Sequence, residues 1–138
     1  MIGRGDNLHH LIFIDDLIEG LFQAAELDEA VGNIFVVAGT KPLTSNEMVN
    51  EIAKFFKTKI PKFHLPLSLV LLLAYVMEGV LRPLHIQPPL HRRRIDFFRK
   101  SFYFSQEHAR KKLKFYPKID FSEGVTKTAK WYQEMNLL

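Results

Sequence analysis

Hydrophobic positions along this chain change period, and each change marks an element. From Asp16 to Leu27, Leu17, Leu21 and Ala24/Ala25 recur at i, i+4 and i+7/i+8, which predicts a helix with one apolar face. Ahead of it, Leu11 to Ile14 is a short β-rich apolar run, preceded by a turn that Gly3 and Gly5 make flexible. Asn33 to Ala38 reads as a strand because Ile34-Phe35-Val36-Val37 is β-branched and aromatic and is bracketed by Gly32 and Gly39. Its unbroken apolar run predicts burial on both faces, as inside a sheet. Thr44-Ser45-Asn46-Glu47 has the spacing of a capping box, opening a helix that turns Met48, Ile52 and Phe55/Phe56 inward and ends near Thr58, ahead of Pro61.

Leu65 to Leu81 is the most apolar stretch, but it has 17 residues and is interrupted by Pro66, Ser68, Glu78 and Gly79. A bilayer span needs about 20 apolar residues, so a buried or interfacial helix from Leu67 to about Leu81 is expected rather than a membrane role, which stays open as the alternative. Pro83, Pro88 and Pro89 break the next segment into turns. A helix over His91–Lys100 follows, then a short strand at Phe102–Phe104. Ser105 is placed to cap a helix over Gln106–Lys114, and a last helix spans Ser122–Met135. The sum is one α/β domain over residues 1–138, helix-rich with two or three short strands.

Composition narrows the chemistry. The chain has 138 residues, 47% of them hydrophobic and 12 of them Phe, enough for a single core. It has no cysteine, which removes disulfides and thiolate metal sites and is compatible with a reducing cytoplasm, the expected location. Met1 is followed by a Gly/Asp/Asn/His-rich segment rather than a signal peptide. The net charge of +4 conceals an asymmetry: one base faces seven acids up to Val31, whereas Arg82–Lys118 holds eleven bases against two acids. That basic half calls for an anionic partner.

The stretch from Gly3 to Leu17, with Gly5-Asp6-Asn7, Leu11-Ile12-Phe13-Ile14 and Asp15-Asp16, resembles a string found in the extended short-chain dehydrogenase/reductase family, the NAD-dependent nucleotide-sugar epimerases and dehydratases. Three further segments resemble that family in the same order. They are the Gly32–Gly39 strand, the Pro42–Met48 helix start, and the run from Ser105 through Pro117 to the Phe121–Val125 and Thr128–Tyr132 segments. The resemblance implies that this chain is the C-terminal, substrate-binding part of a Rossmann-type extended member, whose intact form uses NAD(P). The cofactor half needs a Gly-rich turn cradling a pyrophosphate at a helix N-terminus, and Gly3 and Gly5 have no strand ahead of them. The family's catalytic Tyr-x-x-x-Lys is missing too, because the four tyrosines are followed at +4 by Gly79, Glu107, Asp120 and Asn136. No catalytic or cofactor-binding residue is therefore expected in this chain.

The resemblance places a diphosphate-clamping arginine near Arg92-Arg93-Arg94, with Arg99 and Lys100 a turn or two later. A guanidinium fork suits phosphate oxygens, although successive arginines on a helix point about 100° apart and cannot all face one pocket. The bland alternative is a solvated helix face. His9 stands where sugar-nucleotide relatives carry a second arginine, and His9 and His10 can face opposite ways beside a strand. A hydrogen-bonded structural role for at least one of them is the default, and no metal site is expected. Asp15 and Asp16 are better explained as a helix cap and first-turn dipole partner than as catalytic carboxylates. Asn7 is a turn residue or a polar contact to substrate.

The function implied is binding of a nucleotide-sugar diphosphate for an NAD-dependent epimerase or dehydratase. The main alternative is the C-terminal part of a 3β-hydroxysteroid or sterol dehydrogenase-like member, favoured by His9 and the apolar Leu65–Leu81 helix. A module of another class, binding anions or nucleic acid through the Arg92–Lys118 run or serving as a non-catalytic interaction domain, is a third reading. Nucleic-acid binding is not expected, since no such motif accompanies the basic run. Apolar surface left bare by a partial fold predicts a homodimer or higher assembly.

Overall fold

A computed structural model of the chain describes residues 2–60, 63–81 and 92–137, with the side chains of Arg92, Arg93 and Arg94 outside that description. The turns expected around Pro83, Pro88 and Pro89 also lie outside the described residues. Two short strands, β1 (Leu8–His9) and β2 (Leu43–Thr44), pair antiparallel with Leu8 opposite Thr44 and His9 opposite Leu43. The helices are α1 (Ile14–Glu26), α2 (Ser45–Phe55), α3 (Leu67–Leu81), α4 (Arg92–Arg99), α5 (Glu107–Lys112) and α6 (Phe121–Glu134).

The helix-rich α/β character is as the sequence implied, but the strands are elsewhere. Neither Leu11–Ile14, nor Asn33–Ala38, nor Phe102–Phe104 forms a strand. A strand exists only where a neighbour accepts its hydrogen bonds. Phe102 finds one such bond, its N–H donating to Leu8 O at 2.8 Å. The segment 33–38 is buried on one side only: Phe35 and Val37 pack inward while Ile34 is 87% exposed. The expectation of two covered faces is therefore corrected.

Two separate apolar clusters hold the fold. In the larger, Ala109, Leu113 and Phe115 are almost wholly buried among Ile12, Ala24, Phe35 and Val37. Gly20 lets α1 come close, because a Cβ there would lie 3.1 Å from the Phe115 ring. Gly39 is more tightly constrained, since its Cβ would stand 2.0 Å from Leu11 O. In the smaller cluster, Val70 and Ala74 of α3 meet Ile95 of α4, with Ile2, Leu67 and Leu71 around them.

Helix starts obey local signals in some places and distant ones in others. Thr44 and Glu47 form the capping box as expected: Glu47 N donates to Thr44 Oγ1 at 3.1 Å and Thr44 N to Glu47 Oε2 at 2.7 Å. Lys57, at φ +50, follows the end of α2. α6 starts one residue early, with Asp120 accepting from Glu123 N at 2.8 Å. Gln106, rather than Ser105, precedes α5, and its buried carboxamide accepts from Ala38 N and donates to Gly39 O. Asp16 departs furthest from expectation. α1 begins at Ile14 with no side-chain cap. Asp16, 2% exposed, instead accepts from the backbone N–H groups of Lys118 and Ile119, both at 3.0 Å. It ties α1 to the approach of α6 rather than capping its own helix.

Asp16→Ala leaves two backbone donors without their acceptor, and an unsatisfied buried group costs about 1–3 kcal/mol. Urea denaturation is expected to show a loss of about 2 kcal/mol or more, whereas Asp15→Ala, at an exposed first-turn position, should shift stability by less than about 0.5 kcal/mol. Equal effects would show that Asp16 acts only on the helix dipole.

Candidate functional site

Three remote segments meet at a cleft of about 550 Å3: the opening turn 3–7, residues 64–67 ahead of α3, and the end of α4 with Ser101. Gly3 N donates to Leu65 O at 3.0 Å, and Ile2 and Leu65 form an isolated parallel bridge, so the first two walls are joined by backbone. Leu65, Pro66, Leu67 and Phe98 give the cleft apolar surface, and Arg4, Asn7 and Arg99 give it polar surface. Both guanidiniums already have anionic neighbours, Arg4 with Asp6 at 3.0 Å and Arg99 with Asp96 at 2.9 Å. Hydrogen bonds from Lys100 and then Arg99 hold the Asp96 carboxyl below its ordinary range.

Of the residues singled out from the sequence, Asn7 and Arg99 line this cleft together. Arg92, Arg93 and Arg94 occupy the first turn of α4, and their side chains lie outside the described residues. Asn7 also binds the protein's own backbone and side chains, its Nδ2 donating to Phe97 O at 2.7 Å and its Oδ1 accepting from Ser45 Oγ at 3.0 Å. Arg4, His64, Phe98 and Ser101 join the cleft without having been singled out. No periodicity could have found them, because the cleft is assembled from segments some 30 to 60 residues apart.

His9 does not line the cleft. It is 4% exposed, stacks on Phe97 with ring centroids 4.2 Å apart, and its Nε2 lies 2.8 Å from Asn7 Nδ2 and 2.9 Å from Ser45 Oγ. Burial pushes its pKa below the ordinary value of 6.5. A neutral ring can accept at Nε2, whereas a protonated ring would present an N–H to the Asn7 amide N–H. His10 is structural as well, with Nε2 donating to Gly39 O at 3.1 Å and Nδ1 accepting from Phe104 N at 3.3 Å. Both rings are thus engaged within the protein.

A second cavity, about 560 Å3, opens between α2 and α6, with Met48, Ile52, Phe56, Val125 and Tyr132 in its walls. Of the inward positions expected for α2, Met48, Ile52 and Phe56 face this space rather than a closed core. No group of three or more His, Cys, Asp or Glu able to hold a metal occurs among the described residues. Gly3 and Gly5, at φ +70 and +74, turn the chain into β1 and not into a helix N-terminus, so no array of free N–H groups faces a pyrophosphate there.

No family model matches the chain. It is 27% identical over 143 residues to mouse (Mus musculus) sterol-4-alpha-carboxylate 3-dehydrogenase, decarboxylating, covering 98% of this chain and 40% of that protein. It is 26% identical over 141 residues to the short-chain dehydrogenase/reductase family 42E member 1 of Danio rerio, covering 95% of this chain and 36% of that one. Among solved structures it superposes on gox2253 with a TM-score of 0.72, at 22% identity, over 94% of this chain and 38% of that chain. It superposes on the UDP-glucuronic acid 4-epimerase of Bacillus cereus, in complex with UDP-glucuronic acid and NAD, with a TM-score of 0.66 at 15% identity, over 98% of this chain and 35% of that chain. The chain therefore spans about 40% of the length of the curated relatives it matches. In sequence and fold these similarities are those of the C-terminal part of an extended short-chain dehydrogenase/reductase.

The lowered pKa of His9 gives the fold a pH dependence of definite sign. The unfolded chain takes up a proton near pH 6.5 while the folded one resists it, so the stabilisation is full above that pH and is lost progressively as pH falls below it. Denaturation midpoints measured between neutral pH and pH 5 should fall, and His9→Gln should flatten the slope. An unchanged slope in the variant would assign the dependence to other groups.

Proposed function

We propose that this chain is the substrate-binding portion of an extended short-chain dehydrogenase/reductase, and that its cleft takes an amphipathic carboxylate of sterol type. The observation that carries this reading is the withdrawal of His9. Where the resemblance implies a second arginine for a diphosphate, the side chain here is buried, its protonation disfavoured by that burial, and hydrogen-bonded within the protein. The apolar surface of Leu65, Leu67 and Phe98 suits a fused-ring body, and Arg4 and Arg99, each also paired with an aspartate, are the guanidiniums at its edge. The mouse relative's name specifies a sterol carboxylate, which supports the same chemistry.

In this reading the chain binds and orients the substrate. Hydride transfer belongs to a Tyr-x-x-x-Lys pair and an NAD(P) site contributed by a separate portion of such an enzyme. The bare apolar stripe of α1, Ile14, Ile18, Leu21 and Phe22, together with exposed Ile34, is the surface we assign to docking that portion. Without it, the same surface favours self-association.

A second reading rests on a specific arrangement. Arg99 and Asn7 share the cleft, and Arg92–Arg94 begin the same helix, so a nucleotide-sugar diphosphate would find cations nearby.

Trp131 fluorescence and thermal shift, with a 4-carboxysterol and UDP-glucose titrated separately, distinguish the two. The sterol acid is expected to bind saturably, and Phe98→Ala to weaken it roughly tenfold through lost apolar contact. Saturable binding of UDP-glucose instead, weakened about tenfold by Arg94→Ala and unaffected by Arg110→Ala, would replace the sterol reading with the nucleotide-sugar one.

A further inference from the structure

The cavity between α2 and α6 follows both helices along their length. Met48, Ile52 and Phe56 line it at i, i+4 and i+8, from α2 and the residue that ends it. Phe121, Val125, Thr128 and Tyr132 line it at successive turns of α6. A helix rises about 16 Å from the first to the last of these four, so the space is elongated. Leu43 and Ala129, both less than a tenth exposed, lie at its floor. Leu11, Ile52, Phe56 and Tyr132, each about two-fifths exposed or more, stand at its mouth.

Size and wall chemistry decide what fits. At about 560 Å3 the cavity falls within the range of small-molecule sites, about 300–1,000 Å3. It is too small for a docked helix, since three turns of about 10 Å diameter fill roughly 1,200 Å3. Water gains little there, because aliphatic and aromatic walls give it few polar partners. Left empty, the same walls forgo dispersion contacts.

Charge decides the head group. Lys41 lies exposed at the cavity and makes no hydrogen bond or ion pair among the described residues. The carboxylates around it are committed elsewhere. Asp120 caps α6 by accepting from Glu123 N. Glu47 accepts from Thr44 N and Oγ1, bonds that hold its carboxyl below its ordinary range ahead of any influence from Lys41. An apolar trough with one uncommitted cation matches a ligand with a long apolar body and one negative end.

We propose that this cavity binds a straight-chain fatty acid, its acyl chain lying between α2 and α6 and its carboxylate on the Lys41 ammonium. A flexible chain suits an elongated trough in which Met48 can adapt, and a carboxylate gives the ammonium a charge-assisted bond. The site shares no residue with the cleft at the opening turn and does not depend on what that cleft takes.

Isothermal titration of the 138-residue chain with dodecanoate, kept below its micellar concentration, tests the proposal. One saturable site is expected. Dodecanol, which lacks the charge, should bind roughly tenfold or more weakly. Lys41→Ala should weaken dodecanoate by a similar factor and leave dodecanol unchanged, whereas Lys111→Ala on α5 should change neither. Val125→Phe fills the trough and should abolish binding of both ligands. If circular dichroism shows that Val125→Phe does not fold, the Lys41 comparison between acid and alcohol decides by itself. The proposal is overturned by the absence of saturable binding, by equal affinity for acid and alcohol, or by equal loss in Lys41→Ala and Lys111→Ala. Binding that survives a folded Val125→Phe overturns it as well, since the ligand then sits elsewhere.

Discussion

One carboxamide, that of Asn7, holds three pieces of backbone at once. Its Nδ2 reaches Phe97 O and Lys100 O at the end of α4, and its Oδ1 takes the Ser45 hydroxyl at the start of α2. Its own residue leads into β1. His9 closes the arrangement from below, stacked on Phe97 and bonded to Ser45. The node matters because the two apolar clusters are separate: α3 and α4 share one, and α1, α5 and the 33–38 segment share the other. Among the described residues the links between them include this node, Phe102 N to Leu8 O and Leu8 N to Ser101 Oγ. Polar networks of this kind are worth most when every member is satisfied. Removing one partner would free the α3–α4 pair to move against the rest, and the cleft between them would lose its shape.

What the sequence disclosed follows a physical rule. Features decided by neighbours in the chain were legible: the Thr44–Glu47 capping box, the helical span of α3, and the helix rather than strand character of residues 121–134. Features decided across the chain were not. Asp16 looks like a local cap by position, yet its acceptors are spent on donors 102 and 103 residues away. Ile34–Val37 looks like an interior strand by composition, yet a strand is defined by its partner, and none among the described residues supplies one. The same rule governs the site. Asn7 and Arg99 could be nominated singly by residue type, but that they share a cleft with Leu65 and Phe98 depends on three segments folding together.

The charge asymmetry of the sequence also gains a structural meaning. Acidic residues at the start of the chain are partly absorbed by the basic half: Lys118 reaches Glu19 at 2.7 Å, and its backbone N–H binds Asp16. Around α4 the balance is different, since among the described residues Asp96 answers both Arg99 and Lys100. Exposed pairs of this kind contribute little stability, so the cations near α4 are retained at small energetic benefit to the fold itself.

Gln106 has a consequence for how far the 33–39 segment could ever be extended into a sheet. Its side chain accepts from Ala38 N and donates to Gly39 O, at 3.2 and 2.8 Å, from a buried position. Those two backbone groups are therefore already engaged within the chain. Any strand arriving alongside residues 34–37 would find its ladder stopped at Ala38 by a carboxamide, and Leu11 pressed against Gly39 leaves no room to slide further along. The stop works as a built-in ruler: it sets the register of an incoming strand before that strand's own side chains are consulted, and it limits the ladder to a few rungs.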